Sequence, residues 1–322
     1  MKQFILLFLC IFFLAGCNHN NGYNISKIPT PRLSSSPEAN EPKEPVKIDS
    51  HKKILFYSDR TGHMEIYVMN IDGSNQQQLT YYNTYTRSPA WSRDGKHIAF
   101  ESTKDNIKKE ISTFEIYIRD MDKGEVKRLT ENDYDDCSPC WSPDDKEIVF
   151  MSKSASEDNY GIFVRNLESN IEQQLLADTN DNRNPDWSPD GTKIAFESNH
   201  NGNYDISIMN KSGGDIHDLT KDVIDERNPC WSPDGKKIAY CVYEKGGKSS
   251  VYVMSSDGSG SVRLTNSSSN DILPSWSDDG KNIFFSSNRK ESMDIYIMGA
   301  NGGEAKQLTS KFYVDLGAKC QP

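Results

Sequence analysis

Asn184-Pro185-Asp186-Trp187-Ser188-Pro189-Asp190-Gly191-Thr192-Lys193-Ile194-Ala195-Phe196 reads as a β-hairpin. A short strand runs into Trp187-Ser188, and a second apolar strand starts at Lys193. Asp190-Gly191 turns the chain between them, because Gly tolerates the positive φ that tight hairpins need. The same words recur at Trp91-Ser-Arg-Asp-Gly95, Trp141-Ser-Pro-Asp-Asp145, Trp231-Ser-Pro-Asp-Gly235 and Trp276-Ser-Asp-Asp-Gly280, every 44–50 residues. Self-similarity at that period, with strands inside each unit, is the signature of a β-propeller.

Outward from the hairpin, each unit adds a polar loop and a third strand of alternating pattern. Its copies are Ile66-Tyr-Val-Met69, Ile116-Tyr-Ile-Arg119, Ile162-Phe-Val-Arg165, Ile206-Ser-Ile-Met209, Val251-Tyr-Val-Met254 and Ile295-Tyr-Ile-Met298. A second Gly-containing turn leads to a fourth strand ending in Leu-Thr, or Leu175-Leu176 in one copy. Four short antiparallel strands make one blade. The third strand occurs six times and the Trp five, so one blade is split. From the last residue of each Leu-Thr pair to the next Trp is 11 residues, and the same count from Thr309 lands on Cys320. The spacing therefore predicts an all-β, six-bladed propeller over residues 51–322, of four-stranded antiparallel blades. Its C-terminal strand supplies the inner strand of the blade begun by residues 52–80, which leaves no open sheet edge. Residues repeated in every blade serve the fold first: Trp packs between blades, Asp-Gly turns, and Ser and Thr satisfy backbone groups.

Ahead of the repeats, Lys2 precedes an apolar run from Phe4 to Ala15, which has signal-peptide length and is too short to span a bilayer. Leu14-Ala15-Gly16-Cys17 resembles the lipobox of bacterial lipoproteins. That resemblance implies removal of residues 1–16, a lipid on Cys17 and anchoring in a cell or outer membrane, with the folded domain outside the cytoplasm. Residues 17–50 carry Pro29, Pro31, Pro37, Pro42 and Pro45 among Ser and Asn and few large apolar groups, so they read as a flexible tether.

The net charge is −10 with no basic cluster, which argues against nucleic acid and against docking on an anionic membrane; contact with the membrane is expected through the lipid alone. Cys137-Ser-Pro-Cys140 has redox or zinc spacing but no second Cys or His pair, and sister blades place Arg183-Asn-Pro-Asp186 and Arg227-Asn-Pro-Cys230 there. The repeat accounts for it.

The blade sequence, from Ile-Tyr-Val-Met-Asn-x-Asp-Gly-Ser through Leu-Thr to Pro-x-Trp-Ser-Pro-Asp-Gly-Lys-x-Ile-Ala-Phe, resembles that of the TolB-like propeller family over residues 52–310. The resemblance implies a monomeric propeller of the cell envelope that binds another protein or a peptide at one mouth of its channel. TolB itself has an α/β domain before the propeller and binds the peptidoglycan-associated lipoprotein; here a lipobox and a tether stand in that place.

Loops from fourth to first and from second to third strands open on one face, the loop face. The Asp-Gly turns open on the other. On the loop face, five to six residues before each Trp, lie Asp135, Asp136, Asp181, Asp225, Glu226 and Asp271; Arg87, Arg183 and Arg227 lie four before theirs. These are expected to ring the channel mouth, where they can bind a peptide, hold a cation such as calcium through converging oxygens, or pair with one another. The reading assigns no metal, no cofactor and no catalytic residue. No nucleophile elbow, Walker loop or His-Glu-x-x-His occurs, and His63 and His200 fall three blades apart. The alternative is binding or cleavage of a cell-wall or extracellular glycan, which a pair of mouth carboxylates could serve.

Overall fold

The computed structural model describes residues 52–322 except 106–112, 154–158, 177, 245, 267 and 311. Cys17 and the expected tether lie outside the described residues. Within them, six four-stranded antiparallel sheets form the blades of one ring. Blade 4 shows the plan: Asn182–Trp187 innermost, then Lys193–Ser198, Asp205–Asn210 and the short outer His217–Asp218.

The ring closes as the spacing requires. Asp315–Cys320 pairs with Lys53–Ser58, so the last strand of the chain is the inner strand of blade 1. Leu316 and Ala318 are buried there, and Ala318 packs with Ile54 and Phe56 against Phe284 of blade 6.

The core lies between blades. Trp141 of blade 3 packs on Ala99 and Ile116 of blade 2, and its Nε1 donates to Ala90 O at 3.2 Å; Trp276 donates likewise to Cys230 O at 3.1 Å. Each inner strand also carries a bulge three residues before the Trp position. There the backbone is left-handed at Ser88, Ser138, Asn184, Asn228, Leu273 and Gly317, with φ from 49° to 63°. The register against the second strand shifts at that point. A bulge swings the strand end and re-aims its side chains, and the candidate residues sit just beyond it.

Candidate functional site

Side chains alternate along a strand, so residues four, five and six before Trp face different ways. The structure sorts the nine expected mouth residues into three positions with three jobs.

Six before Trp, Asp135, Asp181 and Asp225 each accept the backbone N–H that opens the third strand of the preceding blade: Phe114, Tyr160 and Tyr204, all at 3.0 Å. These carboxylates tie blade to blade.

Four before Trp, Arg183 donates to Asp181 at 2.7 Å and Arg227 to Asp225 at 2.8 Å. Arg183 lies 5.0 Å from the Tyr160 ring centre and 5.5 Å from that of Tyr204; Arg227 lies 3.8 Å from Tyr204 and 5.6 Å from Tyr243. The result is a belt, Tyr160–Arg183–Tyr204–Arg227–Tyr243, across blades 3 to 5. Arg87 begins a similar stack on Phe114 at 4.3 Å and pairs with Glu101. Burial alone would lower the Arg183 and Arg227 pKa values, but tyrosine and carboxylate neighbours raise both.

Five before Trp, Asp136, Glu226 and Asp271 are buried at 0–2% exposure and do not line an open mouth. This corrects the expectation that all six acids ring the channel. Asp271 pairs with Arg289 at 2.9 Å, as Asp315 does with Arg60 at 2.8 Å. The carboxylates that open the third strands, Glu65 in blade 1 and Glu115 in blade 2, are tied by other groups. They accept from Thr80 and Thr130 Oγ1 and from the N–H groups of Asn83 and Asn132.

Asp136 and Glu226 lack such an arginine. The equivalent position in blade 5 is Glu244, bonded to Arg263, and in blade 3 it is Ser154, outside the described residues. Asp136 Oδ1 and Glu226 Oε2 are buried with no hydrogen-bond partner among the described residues. Burial pushes each carboxyl up to about 7.

Two buried acids escape a reading of the sequence. Glu101 Oε2 accepts the bulge N–H of Ser138 at 2.6 Å, and Glu197 Oε2 that of Asn228 at 2.8 Å, each in the next blade. Their signal is a charge inside an apolar strand, as in His97-Ile-Ala-Phe-Glu-Ser102.

His200 Nδ1 lies 3.1 Å from Ser198 Oγ and its Nε2 3.1 Å from Asp218. The trio has the composition of a hydrolytic triad. Its sisters explain it: Arg60 and Arg289 bond Ser58 and Ser287 in the same way at 3.0 and 2.9 Å, and Ser198 is buried. Among the described residues no three His, Cys, Asp or Glu side chains are grouped to hold a metal ion. Cys137 and Cys140 are free thiols.

What remains accessible on the loop face is selective. The Asp225 side chain is 36% exposed, Val223 in the same loop is 89% exposed, and Phe312 in the loop into blade 1 is 97% exposed. Within the channel, a cavity of about 300 Å³ runs from the bulge residues to Pro143, Pro189 and Pro233 at the turn face.

Residues 110–241 and 226–322 match the PD40 family, the TolB beta propeller domain. A 65-residue stretch is 42% identical to a protein TolB homolog of Chlorobaculum tepidum, covering 19% of this chain and 15% of that protein. Another 50 residues are 42% identical to the Tol-Pal system protein TolB of Desulfosudis oleivorans, covering 16% of this chain and 11% of that protein. The chain thus matches well under two thirds of either relative's length. The solved TolB of Acinetobacter baumannii superposes with a TM-score of 0.73 at 22% identity, over 84% of this chain and 67% of that one, a likeness of fold.

Proposed function

The chain belongs to the TolB β-propeller family, and we propose that its loop face is a docking surface for an envelope protein or peptide. The carrying observation is the loop before blade 5. It presents Val223 at 89% exposure two residues from Asp225, whose carboxylate is held by Arg227 and by the Tyr204 N–H. An exposed apolar side chain beside fixed, partly exposed charge resembles the edge of a hot spot, because a preorganised anchor loses little entropy on binding.

In this reading the propeller is a binding module and not an enzyme. Asp135, Asp181, Asp225 and Arg227 meet the partner, while Arg87, Asp136, Arg183, Glu226 and Asp271 support them from within. Leu14-Ala-Gly-Cys17 supports lipid anchoring outside the cytoplasm, with residues 17–50 as the tether.

Site-specific photocrosslinking in intact envelopes tests it. A crosslinking residue at position 223 should give a discrete protein adduct that Asp225→Asn weakens. The same residue at position 236, on the turn face, should give none. Adducts from 236 alone, or from neither position, would overturn the assignment, and crosslinks to glycan would favour the glycan alternative.

A further inference from the structure

The channel half that opens on the turn face holds a polar arrangement that neither the repeat nor the loop face accounts for. The residue before each Trp points to the channel wall: Ala90, Cys140, Asp186, Cys230 and Ser275, with Lys319 at the matching place in the closing strand. Most of these stitch neighbouring blades. Trp231 N–H donates to Asp186 Oδ2 at 2.7 Å, Cys140 Sγ donates to Asp186 Oδ1 at 3.4 Å, and Ser275 Oγ donates to Ala318 O at 2.5 Å.

Lys319 does something else. Blades 1 and 4 stand opposite each other in a six-bladed ring, so Lys319 and Asp186 face across the channel at one level. Lys319 lines the same cavity as Cys230, Asp186 and Cys140, on blades 5, 4 and 3. Among the described residues it forms no ion pair within 4.0 Å. Burial draws its pKa down, but those three neighbours more than offset that, and the ammonium stays charged. Asp186 and Lys319, the latter with no ion pair among the described residues, thus face each other across a gap lined by Cys140 and Cys230, with Pro143, Pro189 and Pro233 at its turn-face end.

The complement of that gap is a small molecule with a carboxylate at one end and an ammonium nearby. A cavity of about 300 Å³ lies at the small end of ligand pockets, which suits a single residue. Pro143, Pro189 and Pro233 offer apolar surface to an aliphatic side chain. We propose that the turn-face half of the channel binds a free α-amino acid as its zwitterion, its carboxylate on Lys319 and its ammonium toward Asp186. The site is separate from the loop-face docking surface and does not depend on it.

Calorimetric titration of the intact chain decides. L-leucine is the probe, beside 4-methylpentanoate, which lacks the ammonium, and 3-methylbutylamine, which lacks the carboxylate. Leucine should bind, and each half-probe should bind roughly ten- to a hundredfold more weakly, since each loses one charge-assisted contact. Lys319→Met and Asp186→Asn should each weaken leucine by a similar factor. The asparagine keeps an acceptor for the Trp231 N–H, so it also serves if Lys319→Met fails to melt cooperatively. No heat with leucine, or leucine affinity unchanged in the folded variants, overturns the site. Equal binding of leucine and 4-methylpentanoate overturns the zwitterion.

Discussion

The two faces of the propeller are built by opposite rules. On the turn face, five hairpins repeat one solution: Ser92, Ser142, Ser188, Ser232 and Ser277 donate to the Asp two residues on at 2.6–2.7 Å. Each Ser Oγ also accepts the N–H that starts the second strand, at 2.9 Å. At Asp144, Asp190, Asp234 and Asp279 the Ser hydroxyl bond holds the carboxyl below the usual range. On the loop face the Thr that ends the fourth strand is repeated too, its Oγ1 accepting the third-strand N–H at 2.9–3.0 Å in five blades, but the charged side chains around it differ from blade to blade. The arginine belt exists in some blades, Arg60 and Arg289 pair in two others, and Asp136 and Glu226 have no cation among the described residues. Repetition marks what every blade needs to close a turn; variation marks where a blade is free to do something else.

The inner strand of blade 1 is the sharpest way to break that contrast, since it is the most divergent copy and also the closure. If divergence meant dispensability, residues 312–322 could be deleted without harm. Their loss would uncover the edge of Lys53–Ser58, expose Ile54 and Phe56 of a fully buried cluster, and strand Arg60 without Asp315. The expected cost is comparable with the whole stability of a domain, roughly 5–15 kcal/mol. The truncated chain should lose its cooperative melting transition, and an unchanged midpoint would show that the ring does not depend on this strand.

A smaller effect separates the faces by pH. Asp136 and Glu226 have folded-state pKa values near 7, above the values of 3.8 and 4.5 they take without the fold. The folded protein therefore binds their protons more tightly than the unfolded chain. Their contribution favours folding least above pH ~7 and improves as pH falls toward ~4, by up to ~3–4 kcal/mol apiece. The midpoint should rise between pH 8 and pH 5.5, and Asp136→Asn with Glu226→Gln should raise the pH 8 value and flatten the slope. The turn-face aspartates have lowered pKa values and titrate below this window. A slope unchanged in the double variant would mean that both acids are paired in solution.

How much of this was legible follows from strand geometry. The hairpin, the blade and the closing strand are carried by spacing, which survives divergence, so even Cys320 could be placed where a Trp stands elsewhere. The mouth is less legible, because nearness to Trp groups acids that the pleat of the strand separates. Asp135 and Asp136 are neighbours in sequence yet belong to alternate sides of the strand, and one residue's shift sends a side chain to the other face. Asp135 thus caps the Phe114 N–H while Asp136 is buried. Pairings such as Asp315 with Arg60 join residues 255 apart, and no local pattern announces them. Lys319 becomes notable only once the ring sets it opposite Asp186.

The finest test of the contrast lies at the bulge, where a repeat-wide backbone requirement meets a blade that ignores it. Five of the six left-handed positions are Ser, Asn or Gly, which are small or bond their own backbone, whereas blade 6 has Leu273 at φ 55°. A left-handed conformation costs an ordinary side chain about 1–2 kcal/mol, and Asn or Gly less. Leu273 is half-buried at the channel wall, so replacing it forfeits little packing. Leu273→Asn should therefore raise the melting midpoint by a few degrees, about what ~1 kcal/mol gives in a chain of this size, while the reverse change Asn184→Leu should lower it. If both variants melted below the parent, the leucine would be held by contacts on the channel wall that outweigh its strained backbone, and the departure in blade 6 would belong with the functional differences of the loop face.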